Sequence, residues 1–383
     1  MRIAILFPTL PPAVDGIGDY TAHLARMLGQ HEDMEVHLLT ATQKYTPISH
    51  VHIHPSFSTH SPRDILHALP TLQAIKPDWL LVQYNPFSYG YLGFNPYLPQ
   101  LLQRVRQHLP RTRIATMVHE DFVYLDHWKH VLITTWQRAQ FIQIGRLSHI
   151  LFFSIEVWVH RYRRWFPHTP VLHLPVASNV SYYPVSRQEA RAYLDIPQDA
   201  FVLGTFGMLH PTKLPEWSRQ AARALYKRNR RLLWIYAGPE PERFHTLAAT
   251  IPHQARGTLQ GQSLSAFFAA TNLMLSPFSD GVSTRRGSFL AALQHGTPTL
   301  STYGPLTDTI LLRGQDRAYA LTPTKQERSF IERAIHLAQS PHLDCMGAKA
   351  HRFYHEHFTW KHLTHRLVEA LREFEPLTQL TAV

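Results

Sequence analysis

Residues able to bind or move charge gather in four short stretches of this 383-residue chain. "PTLPPAVDGIGDYTAHLARML" begins at Pro8 and places Gly16 and Gly18 between an apolar strand-like run and an amphipathic helix-like one. Prolines 11 and 12 cannot continue a strand ladder, and the glycines permit backbone approaches that a side chain would block. A helix opening there presents free N–H groups and the positive end of its dipole, which suits a phosphate or another anion; a tight strand-to-helix turn explains the same residues without any ligand. A dinucleotide fingerprint needs a further glycine where Thr21 stands, so hydride chemistry loses its main support.

"FGMLHPTKL" puts Gly207 at a strand end and Lys213 just before a helix, within reach of a diphosphate held over that helix start; a solvent-facing loop lysine is the alternative. "SPFSDGVSTRRGSFLAALQHGTPTLST" assembles Asp280, Ser283, Thr284, Arg285 and Arg286 at a helix N-terminus, where an ordinary polar cap would also be at home. His119 follows the apolar run "IATMV", a place where a histidine serves either as hydrogen-bonded scaffolding or at a site.

Composition narrows the partners. The 38 Lys and Arg against 27 Asp and Glu give a net charge of +11, a field that favours anions such as nucleic acid, acidic lipid or phosphorylated small molecules. "HRYRRWF" and "YKRNRRLLW" mix cations with aromatics and could touch a membrane or nucleic acid, or form solvated faces. No helix-turn-helix, zinc-finger or RRM pattern supports nucleic acid, and no stretch approaches the ~20 apolar residues of a membrane span. One cysteine, Cys345, excludes an intrachain disulfide and a multi-cysteine zinc site; with no signal-peptide core, the cytoplasm is the expected compartment. His50, His52 and His54 alternate and would share one face of a strand, where zinc is conceivable and a polar sheet edge is the plainer reading; His351 and His355 at helical spacing take the same reading.

The elements that must hold these residues form two successive series. Strand candidates are 3–7, 36–39, 79–82, 114–118, 150–153 and 171–174, then 201–206, 232–237, 273–275, 299–301 and 318–321, with helix-like segments such as 19–28, 96–107 and 130–146 between them. The pattern dissolves into Pro, Ser and Asn around "PVASNVSYYPVS". Expected is an α/β protein of two doubly wound Rossmann-like domains facing across a cleft: 1–176, 177–355, and a terminal helix in 356–383. Ligands in such sheets bind beyond the strands' carboxyl ends.

In order and spacing, "DGIGDYTAHLARML", "PDWLLVQYNPFSYG", "ATMVHEDF", "LPVASNV", "FGMLHPTK", "WIYAG", "DGVSTRRGSFLAALQHGTPT" and "FTWKHLTHRLVEAL" resemble the GT-B glycosyltransferases of retaining family 4, over nearly the whole chain. The resemblance implies an acceptor-binding N-domain, a nucleotide-sugar-binding C-domain and a terminal helix that crosses back. It puts Gly16 and Gly18 near the diphosphate and acceptor, His119 beside the transferred sugar, Lys213 on the diphosphate, and Asp280 at the first carboxylate of the family's Glu-x7-Glu pattern. Three departures stand out: Met208 occupies the place of an expected arginine, the second glutamate is replaced (Ser288 counting forward from Asp280, Ala291 counting back from Gly296), and the loop is about three residues longer than the common pattern. Arg285 and Arg286 are candidate replacements for the missing arginine, and some family members carry a similar Ser/Arg-rich block.

The implied reaction is transfer of a sugar, with retention, from a UDP- or GDP-sugar type of donor to a glycan, lipid-linked or small-molecule hydroxyl. No Asp-x-Asp metal site is visible, so no metal and no separate cofactor is expected, and peripheral membrane contact is compatible. The rival reading is a degenerate GT-B protein that binds nucleotide or glycan without turnover, motivated by Met208 and the missing glutamate. Acceptor choice is expected to lie in the aromatic-rich loops 84–94 and 121–129.

Overall fold

The computed structural model describes residues 1–13, 15–122 and 130–374. The chain folds as two compact units, one of Met1–Pro175 with Trp360–Val383 and a second of Val176–Thr359. Part of the aromatic loop expected at 121–129 lies outside the described residues.

The first unit is built on seven strands, β1 (Arg2–Leu6), β2 (Glu35–Thr40), β3 (Val51–Pro55), β4 (Trp79–Tyr84), β5 (Arg113–Val118), β6 (Ile150–Phe153) and β7 (Val171–His173). All pair in parallel, in the order β3-β2-β1-β4-β5-β6-β7. Helices cover both faces of such a sheet, so its inner strands bury every side chain, as "WLLVQY" of β4 does. The order reverses between β1 and β4, and β5 lies beside β4 there. The terminal helix Trp360–Glu373 packs on helix Gly16–Gly29 through Trp360, whose ring lies 5.2 Å from Tyr20 and 5.4 Å from His23.

The second unit repeats the plan with β8 (Phe201–Phe206), β9 (Leu232–Ala237), β10 (His253–Ala255), β11 (Leu273–Ser276), β12 (Thr299–Tyr303) and β13 (Ala320–Pro323). Their order is β10-β9-β8-β11-β12-β13, again all parallel, with the reversal between β8 and β11. The helices after β8 and β11, Pro215–Arg228 and Gly287–Gln294, therefore start at the reversal point, where ligands of such sheets gather.

Two basic-aromatic segments resolve toward packing. In "HRYRRWF", Tyr162 and Phe166 are core residues and Tyr162 stacks on Phe153 at 5.0 Å; in "YKRNRRLLW", Trp234 is buried in β9 while Arg230 covers Tyr226. These aromatics are spent inside the protein or beneath a neighbouring cation. The expected His50, His52 and His54 face does not form either: His50 takes a φ of 61° ahead of β3, so only His52 and His54 lie on the edge strand, against His37 of β2. Among the described residues no group of three His, Cys, Asp or Glu is placed to hold a metal ion, and no helix is long and apolar enough to cross a membrane.

Candidate active site

In the second unit, β8 ends at Phe206 and Gly207 turns the chain with a φ of +85°, a conformation that favours glycine. A Cβ on Gly207 would stand 2.9 Å from Lys213 Nζ and 3.8 Å from Ser288 Cβ, so this glycine lies between the lysine and the first turn of helix Gly287–Gln294. Lys213 closes a short 3-10 turn, Pro211–Lys213, opened by His210 as its cap, and its ammonium donates to the carbonyl of Phe206 at 2.9 Å. The stem is partly exposed, but protein atoms crowd the ammonium: burial, then the nearby Arg286 charge, push its pKa down to about 8, with Glu240 opposing them.

The loop after β11 brings Asp280, Arg285 and Arg286 together. Asp280 accepts from Arg286 Nη2 at 2.8 Å on both carboxylate oxygens and from Arg285 Nη2 at 3.1 Å, and the Arg286 guanidinium lies 4.6 Å over the Phe278 ring. The loop is fixed from beneath: Asp308, fully buried, accepts from Thr284 N–H at 2.6 Å, and a Cβ on Gly281 would meet Gly304 N at 2.3 Å. Ser283 is wholly buried and its hydroxyl has no partner among the described residues. Met208, where the resemblance expects an arginine, is 56% exposed and contributes no charge.

These groups gather charge of a definite sign. Lys213, Arg285 and Arg286 bring three positive charges and Asp280 one negative, while Glu240 is engaged by Arg243 at 3.0 Å and by Leu209 N–H. The net is two positive charges, the complement of a diphosphate diester. Such a cluster stabilises negative charge as it grows on a leaving phosphate, provided its donors are already in place.

In the first unit the expected loop differs in one respect. Asp15 caps helix Gly16–Gly29, and its Oδ1 accepts from both Ile17 N–H and Gly18 N–H at 2.8 Å. Two of the amides expected to be free for an anion are thus taken by the chain's own carboxylate, as a helix N-terminus prefers. Gly18 is required by packing, since a Cβ there would stand 2.7 Å from Thr9 O; nothing lies within 4 Å of one on Gly16.

His119 follows β5 and is 7% exposed. Its backbone N–H donates to Tyr84 O at 2.9 Å, its Nε2 lies 2.7 Å from Gln83 Oε1, and Tyr20 packs edge-on at 5.0 Å. Burial alone drives the imidazole down to about 3, so it is neutral near pH 7 and serves as a hydrogen-bonding group rather than a cation.

Sequence reasoning missed Gln83 and Tyr20 beside His119 in the first unit, and Glu240 near Lys213 and Phe278 under Arg286 in the second. Each has a type with many structural uses, and only the positions of Gln83, Glu240 and Phe278 near strand carboxyl ends offered a signal. Gly207, Lys213, Arg285, Arg286 and Asp280 come together within the second unit, whereas Gly16, Gly18 and His119 belong to the first.

No family model matches the chain. A curated relative, the D-inositol 3-phosphate glycosyltransferase of Saccharomonospora viridis, is 26% identical over 215 residues, covering 50% of this chain and 47% of the relative, so the match spans about half of each protein. Solved structures align over nearly the full length: sucrose-phosphate synthase from Thermosynechococcus elongatus (TM-score 0.74, 15% identity, 97% of this chain and 98% of that one) and WaaG, a glycosyltransferase involved in lipopolysaccharide biosynthesis (0.69, 14%, 96% and 99%). HepE of Anabaena, solved with UDP-glucose, aligns at TM-score 0.67 with 12% identity over 98% of this chain and 100% of that one. Two all-parallel Rossmann-like sheets and these alignments together establish that the chain has the GT-B fold found in glycosyltransferases.

Proposed function

We propose that this chain is a retaining glycosyltransferase of family 4 that moves a sugar from a nucleoside-diphosphate sugar to a hydroxyl of a glycan, a lipid-linked sugar or a small molecule. The observation that carries the reading is that Lys213, against Gly207, lies near the charge of Arg286, which shares Asp280 with Arg285, for a net charge of two after Asp280 is counted. The donor-bound relative structure and the name of the partial relative support a nucleotide-sugar donor.

In this reading Lys213 and the arginines hold the diphosphate and stabilise the charge that develops as the bond to the anomeric carbon breaks. Fixed side-chain cations fill the role a divalent ion would otherwise play, so transfer proceeds in a chelator. Asp280 orients both guanidinium groups and touches the sugar through the oxygen lone pairs they leave. Neutral His119 holds a sugar hydroxyl, and a phosphate oxygen assists removal of the acceptor proton on the face the diphosphate leaves, which retains configuration. The cytoplasm suits the exposed Cys345 thiol.

The degenerate alternative is motivated by Met208 in place of the expected arginine and by the missing second glutamate. Turnover separates the two. The purified chain is incubated with UDP-glucose, GDP-mannose, ADP-glucose and dTDP-glucose and with glycan or lipid-linked acceptors, and nucleoside diphosphate release and the anomeric configuration of the product are measured. Sustained release with one donor supports the proposal; nucleotide binding without release leaves the degenerate reading.

A further inference from the structure

Gln83 and His119 are neighbours by construction. Gln83 is the penultimate residue of β4, His119 follows β5, and the two strands pair with Tyr84 opposite Val118. Gln83 is fully buried, and its amide oxygen lies 2.7 Å from His119 Nε2. An amide oxygen carries no proton, so the ring nitrogen must supply it. No other hydrogen bond reaches the ring among the described residues, which leaves Nδ1 with its lone pair. Gln83 Nε2, on the same amide, is buried without a partner among the described residues.

The ring therefore offers one acceptor, His119 Nδ1. An alcohol can give its proton to such an acceptor. With the opposite tautomer, Nδ1 would be a donor and could not take that proton. We propose that Gln83 is a positioning residue that fixes His119 as its Nε2–H tautomer, so that Nδ1 accepts the proton of a substrate hydroxyl. The substrate half of this inference rests on the glycosyltransferase reading; the tautomer half does not.

The test begins without substrate. Full-length protein labelled with 15N-histidine is examined by two-bond 1H–15N correlation near pH 7, and the His119 pattern is assigned by its loss in His119→Asn. The expected wild-type pattern is protonated Nε2 with bare Nδ1, retained in Gln83→Glu, which keeps an acceptor, and changed in Gln83→Leu. Once a donor is known, Gln83→Leu should lower kcat about tenfold or more while nucleotide Kd stays within about twofold, and Gln83→Glu should recover part of the loss. A wild-type Nδ1–H pattern overturns the proposal, as does a His119 pattern or a kcat that Gln83→Leu leaves unmoved. If the wild-type protein transfers no sugar, the functional reading fails while the tautomer is still decided by the spectrum.

Discussion

If Lys213 holds the diphosphate as proposed, donor binding depends on pH in a way that can be worked out in advance. Its ammonium has a pKa of about 8 because burial and the Arg286 charge disfavour the charged form. Without ligand, the lysine is then about nine-tenths charged at pH 7 and about one-tenth charged at pH 9. A diphosphate beside it favours the charged form, so binding above pH 8 must include uptake of a proton. If the bound lysine stays charged throughout, affinity falls about tenfold between pH 7 and pH 9, equivalent to roughly 1.4 kcal/mol. The assay is calorimetric titration with UDP-glucose, and with GDP-mannose if the former does not bind, at half-unit pH steps in buffers of differing ionisation heat; the diphosphate diester does not itself ionise in this range. Proton uptake should approach one per bound nucleotide at pH 9. Lys213→Met should bind more weakly at pH 7 and lose the slope. A flat wild-type profile, or a slope that survives in Lys213→Met, refutes the assignment of Lys213 to the diphosphate.

Three other outcomes follow from the geometry. Asp280→Asn removes the negative charge that both arginines grip, so nucleotide affinity should hold or tighten by a few fold while transfer falls at least about tenfold; weakened nucleotide binding in calorimetry contradicts the charge count. Gly207→Ala forces a side chain into a φ of +85° against Lys213 Nζ, so thermal unfolding should show a loss of about 1–2 kcal/mol together with weaker nucleotide binding. His119 is held neutral with a pKa of about 3, and His173 and His295 with values of about 4, chiefly by burial. The unfolded chain takes up those protons first, so stability is full above about pH 6.5 and declines below it, by up to about 2 kcal/mol per histidine at pH 5. Denaturant unfolding at pH 7 and pH 5 checks this, and His119→Gln should reduce the difference.

The sheets were legible because parallel strands buried on both faces become continuous apolar runs: "IAILF", "WLLV" and "LLWIYA" all lie in β1, β4 and β9 or at their ends. β10 escaped notice because it is three half-buried residues, His253–Ala255, with no apolar run at all. Lys213 and the arginine loop were readable because glycine, cation and hydroxyl types cluster at strand-to-helix junctions. The glycines dominate the first loop in sequence, yet Asp15 sets its chemistry by capping Ile17 and Gly18; the helix starts at Gly16, ahead of the expected start at 19, and that earlier start is what makes Asp15 its cap. Gln83 was hidden for the opposite reason: inside an apolar strand a lone glutamine has no neighbours in sequence to give it meaning, and only the pairing of β4 with β5 brings it to His119. The pairing of Asp280 with both arginines is likewise a matter of loop conformation, which residue types alone do not determine.

The central claim is that the cationic cluster of the second unit is a nucleoside-diphosphate site. Its most direct test is calorimetric titration of the purified chain with UDP, GDP, ADP and dTDP in a metal-chelating buffer at pH 7. The account predicts saturable binding of one of the four, abolished or strongly weakened in both Lys213→Met and Arg286→Ala. Binding to none of them, or binding indifferent to both substitutions, contradicts it.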